Sequence, residues 1–123
     1  MISDLVTQDP KWCEWSLSEL SKPERRFMVN PVIYSELCCR AESHTEVDTL
    51  LTELQIDYCE LPRKALFLAG QAFVRYRKRG GTKSAPLPDF YIGAHAASLG
   101  ISIVTRYASR YRTYFPKIKL ICP

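Results

Sequence analysis

Apolar and polar residues alternate between two periods along the chain, and the switches between them outline the elements. Asp9 followed by Pro10 predicts a helix start, with the acid capping and the proline at the first helical position; Trp12, Trp15, Ser16, Glu19 and Leu20 then keep helical spacing. Phe27, Met28 and Val29 predict a short apolar strand that stops at Asn30 and Pro31, and Val32 to Ala41 predicts a helix carrying Tyr34, Glu36, Leu37 and Cys38. Thr45 with Asp48 matches a capping box for a helix reaching Leu54, and Asp57 to Leu61 alternates as a strand. From Pro62 a longer helix is expected, because Ala65, Leu66, Ala69, Ala72, Phe73 and Tyr76 recur at helical spacing until Gly80 and Gly81. Pro86 and Pro88 hold the next approach extended, and Phe90, Ile92, Ala96, Ala97 and Leu99 mark a buried helix with Gly100 as its left-handed stop. Ile101 to Val104 and Lys117 to Ile121 complete the pattern as strands. Helices alternating with short apolar strands predict an α/β domain with a mostly parallel sheet.

Composition narrows the class. With 123 residues, 46% hydrophobic and 24% charged, the chain has the size and make-up of one globular domain spanning residues 1–123. No apolar run approaches the roughly 18 residues needed to span a bilayer, and MISDLVTQDP lacks the basic and apolar regions of a signal peptide, so a cytoplasmic protein is expected. Five cysteines without a CxxC pair fit reduced, buried thiols better than a disulfide framework or a zinc site.

Charge is divided unevenly along the chain. Residues 1–60 carry five basic and twelve acidic side chains, a balance of −7, whereas residues 61–123 carry twelve basic and one acidic, a balance of +11. A basic half of this kind attracts polyanions through counterion release, without encoding a sequence. The absence of a helix-turn-helix pattern argues against a dedicated DNA-binding domain.

Asp89 is the one carboxylate among those twelve cations. Two explanations stand side by side: it starts the helix, where a carboxylate meets unpaired N–H groups, or it approaches the crevice at strand ends and holds a metal. Glu36, on an otherwise apolar turn just beyond a strand, is either an exposed or capping glutamate or a carboxylate placed where a parallel sheet presents ligands.

The segment LPDFYIGAHAASLGISIVTR, followed by RYRTYFP, closely resembles the C-terminal half of PIN-domain proteins, in particular the VapC-like ribonuclease toxins. The resemblance extends back through NPVIYSEL, Ala65 to Gly70 and Arg75 to Gly81, and so covers nearly the whole chain. It implies a three-layer α/β/α domain with a mostly parallel central sheet, and cleavage of RNA by acids that bind Mg²⁺ or Mn²⁺. Hard cations prefer oxygen ligands, and a bound ion both activates water and stabilises charge on a phosphate oxygen. Glu36 and Asp89 match the family's acids and are the expected metal-binding and catalytic residues. Implied partners are RNA and a small VapB-like antitoxin; a homodimer is compatible with the resemblance.

The chain departs from that pattern twice. The family's first acid ends an N-terminal strand that this sequence lacks, since Ile2 to Leu5 resemble the helix after it, and Asp4 is a poor substitute. The resemblance places that strand in the middle of the sheet, so either the domain pairs with something else or the sequence is incomplete, and incompleteness is the expectation. Tyr107 also stands where relatives carry an acid, and a neutral phenol is a weak Mg²⁺ ligand. Weak metal binding and impaired cleavage are therefore expected, with a catalytically inactive module that binds RNA or antitoxin as the alternative. Arg75, Arg77, Lys78, Arg79, Arg106 and Arg110 are the candidate RNA contacts; Arg112 and Lys117 are further phosphate candidates, and Tyr107, Tyr111 and Tyr114 are candidate stacking surfaces.

Overall fold

Asn30 shows how local chemistry sets the element boundaries. Its Oδ1 accepts the Ile33 N–H at 2.9 Å, while Pro31 occupies the first helical turn, so the strand before it ends and a helix begins at once. The structure, a computed structural model, describes residues 13–22, 26–105 and 107–122. The expected helix start at Asp9 and Pro10, Trp12, Asp4 and Arg106 lie outside the described residues. The chain divides into two compact units, Met1–Glu60 and Leu61–Pro123.

In the first unit, helix α1 (Cys13–Leu20) precedes β1 (Phe27–Val29), α2 (Pro31–Cys38), α3 (His44–Glu53) and β2 (Ile56–Tyr58). β1 and β2 pair in parallel, Phe27 against Ile56 and Val29 against Tyr58. Val29, Leu37, Val47, Leu51 and Ile56 form the core, with Leu20, Ile33, Tyr34 and Leu54 packed on it. The capping box falls two residues earlier than the sequence pattern suggests. Ser43, not Thr45, is the cap: its Oγ accepts the Glu46 N–H at 3.2 Å, and Glu46 Oε2 reaches back to the Glu42 N–H at 2.9 Å. Ser43 has the extended backbone a cap requires, and His44 and Thr45 are already helical.

The second unit holds α4 (Arg63–Lys78), α5 (Pro88–Leu99), β3 (Ile103–Val104), α6 (Ser109–Tyr114) and β4 (Leu120–Ile121). Small side chains let α4 and α5 pack closely: Ala65, Ala69 and Ala72 are buried with Phe90, Ala94 and Ala96. Gly100 ends α5 at φ +67°, the left-handed stop expected from sequence. β3 and β4 pair in parallel, Ile103 with Leu120 and Val104 with Ile121. Both strands are shorter than their apolar patterns, as is β2. Pairing in an isolated two-stranded ribbon has little reinforcement and fades within a few residues.

The α/β class and the parallel pairing agree with the sequence reading. Among the described residues the strands form two separate two-stranded sheets, β1 with β2 and β3 with β4. The short helix α6, in the segment expected to be a basic aromatic exit, has no counterpart in the hydrophobic pattern. Among the described residues, no helix is long and apolar enough to cross a membrane.

Candidate functional site

Pro88 and Asp89 open α5, so Asp89 sits in the first turn rather than at the cap, which is Leu87 and makes no side-chain cap bond. The carboxylate is held by side chains from α6. Arg110 Nη1 donates to Asp89 Oδ2 at 3.3 Å, and the Tyr111 hydroxyl donates to Oδ1 at 3.4 Å. The Arg110 and Asp89 side chains are 37% and 41% exposed, so water still reaches the pair.

The same guanidinium lies over the Phe90 ring, 5.7 Å from its centroid. Phe90 is fully buried and stands at the centre of an aromatic cluster: Tyr114 meets it edge-on at 5.2 Å, Tyr76 at 5.6 Å and Phe73 at 6.4 Å. Asp89 and Arg110 therefore rest on a rigid apolar floor.

Most of the candidate RNA contacts of this unit also make internal contacts. Arg75 Nη2 donates to the Tyr114 carbonyl at 3.2 Å, and Arg79 lies over the Tyr114 ring at 5.5 Å. Arg77 Nη1 donates to the carbonyls of Gly81 and Lys83, both at 3.1 Å, and so closes the loop after α4. Tyr76 completes that closure by accepting the Lys83 N–H at 3.3 Å; this bond stabilises the phenolate and lowers the Tyr76 pKa from its usual value. Lys78 is exposed at the end of α4. A guanidinium has five N–H donors, so these contacts leave further donors for phosphate while fixing where each head group sits.

Glu36 belongs to the first unit, exposed near the end of α2, where its carbonyl accepts the Cys39 N–H at 3.3 Å. Tyr107 is 72% exposed, and its N–H donates to Thr105 Oγ1 at 3.0 Å. Among the described residues, no three of His, Cys, Asp and Glu gather where they could hold a metal ion. Mg²⁺ takes six oxygen ligands in octahedral geometry and is usually held by one or two carboxylates with open oxygens, the rest being water. Asp89, with a donor on each oxygen, does not fit Mg²⁺ or Mn²⁺ in this arrangement.

The partnership of Asp89 with Arg110 and Tyr111 is the feature the sequence pattern missed. Its signal was present: the one carboxylate in a half-chain of twelve cations invites a guanidinium. Only the turn of α6 determines which one.

No protein-family model matches the chain, and no curated protein matches it. Among solved structures, a chain of VapBC-1 from nontypeable Haemophilus influenzae superposes with a TM-score of 0.68 at 16% identity, over 98% of this chain and 91% of that one. The likeness assigns the fold: an α/β arrangement of the PIN-like, VapC type.

Proposed function

We propose that this chain is the toxin-type component of a VapBC-like toxin–antitoxin pair, built on a PIN ribonuclease scaffold whose cleavage is impaired. The observation that carries the reading is the fold likeness to VapBC-1 along 98% of the chain. Its ligands would be RNA, met by the +11 half, and a small VapB-like antitoxin. Glu36 and Asp89 would be the surviving acids of the nuclease site, with weak affinity for Mg²⁺ or Mn²⁺.

A second reading, an inactive domain retained for binding RNA or antitoxin, is favoured by the ion pair that occupies Asp89. No cleavage step is assigned through a metal, because the residues around Asp89 do not fit one as they stand.

Two measurements on the intact chain test these readings. Fluorescence anisotropy with single-stranded RNA should show affinity falling by orders of magnitude between roughly 50 and 200 mM salt, as several phosphate contacts require. Lys78→Glu with Arg79→Glu should weaken binding further; Arg77 is less suitable because it clamps its own loop. Salt-insensitive binding would sink the RNA assignment. Robust EDTA-sensitive RNA cleavage with Mn²⁺ would favour the nuclease over the inactive module.

A further inference from the structure

Asp89 is where a cation is expected, and a cation is there: the guanidinium of Arg110, 3.3 Å from Oδ2. Its geometry is over-determined. The head group is held by the carboxylate on one side and lies over the Phe90 ring on the other, and Phe90 is fixed by full burial. The neighbouring Tyr111, 5% exposed and part of the core, presents its hydroxyl to the second carboxylate oxygen at 3.4 Å. One short helix thus brings two donors to the same acid, and no other carboxylate of this unit can share them.

We propose that Arg110 is the resident cation of Asp89 and excludes divalent ions from it. The inference rests on the reading of Asp89 as an acid of a nuclease-type site. A divalent ion at Oδ2 would occupy the space of the guanidinium and meet its positive charge at a few ångströms. Coulomb repulsion of that size, even at the high effective dielectric of a half-exposed pair, is worth about a tenfold change in affinity. Arg110 therefore behaves as a specificity-determining residue: it admits anions to this face and turns divalent cations away.

The test is Mn²⁺ binding to the full chain, followed by the loss of the free-ion electron paramagnetic resonance signal, with circular dichroism to verify folding. Arg110→Gln should bind Mn²⁺ about tenfold more tightly than wild type. The gain should vanish when Asp89→Asn is added. Arg110→Lys, which retains the charge, should stay within about twofold of wild type. Should Arg110→Gln not fold, Arg110→Met carries the same comparison, since its stem keeps the packing on Phe90. An affinity for Mn²⁺ that is the same in the neutral variant and wild type overturns the proposal, as does an equal gain in Arg110→Lys. RNA anisotropy is read separately on the unmodified chain: absence of RNA binding there, with the Mn²⁺ results as expected, would sink the RNA reading and leave Arg110 as the excluding cation.

Discussion

Two side chains in this protein have their protonation set by opposite means, one by burial and one by a partner. His95 on α5 is 4% exposed, and desolvation holds its pKa below the usual 6.5. The unfolded chain then takes up the proton more readily, so the contribution of neutral His95 is fully present above about pH 6.5 and is lost as the pH falls below it. Urea midpoints should drop between about pH 7 and pH 5.5, and His95→Gln should flatten that drop; a wild-type midpoint that is level over the window would refute the assignment. Tyr34 is the converse case. Its hydroxyl donates to Asp48 Oδ1 at 2.6 Å, and that bond, with lesser help from burial, raises its pKa to about 12. Because the folded value lies above the ordinary 10.0, the contribution is complete below about pH 10 and fades as the pH rises toward 12. An NMR titration of the Tyr34 ring should move back toward the ordinary value in Asp48→Asn, and no movement would break the link.

At the scale of elements, two backbone positions carry clear expectations. Gly93 is buried on α5, and a Cβ there would run into the ring of Phe115. Gly93→Ala should therefore cost about 1–3 kcal/mol, the usual penalty for overpacking, despite the better helix propensity of alanine. A stabilised variant in chemical denaturation would show that Phe115 yields freely. Gln55, between α3 and β2, has φ +57°, a left-handed conformation that costs a side-chain-bearing residue about 1 kcal/mol. Gln55→Gly should raise stability by up to about 1 kcal/mol, less the added freedom of the unfolded chain; a loss would mean that the side chain is held there for another reason. These positions also show what the sequence could disclose. Gly100 was recognisable as a stop because it follows a buried apolar run, and it has the expected φ of +67°. Gln55 carried no such sign, since nothing in its chemistry favours positive φ. Helix α6 was invisible for a related reason: Ser109 to Tyr114 is only six residues long, too short for a periodic stripe, and forms through its packing, with Tyr111 in the core. Asp89 was found as an isolated acid, but its partner was not, because the contact spans 21 residues and depends on that same hidden helix.

For the whole molecule, the division of charge and the division of structure coincide. Along the chain the first unit ends at Glu60 and the second begins at Leu61, the point where the balance changes from −7 to +11. The second unit is nearly single-signed, twelve cations to one acid, whereas the first is mixed, twelve acids to five cations. The sequence alone predicts one domain over residues 1–123, and its charge shift indicates a preference for polyanions and not a boundary. The same coincidence governs how copies of the protein treat one another. A modest net charge of +4 would ordinarily keep them apart, yet the acidic unit of one copy is complementary to the basic unit of the next. That attraction is long-ranged in dilute buffer, where the Debye length is about 30 Å at 0.01 M, and short-ranged at about 10 Å in 0.1 M salt. Solubility should therefore increase as sodium chloride is added, and light scattering should report assemblies at low ionic strength that disperse across this range. Monodisperse monomers at about 0.01 M would contradict the argument. The same net charge spread evenly would leave only a repulsion that salt screens; divided unequally between the two units, it should make the protein salt in.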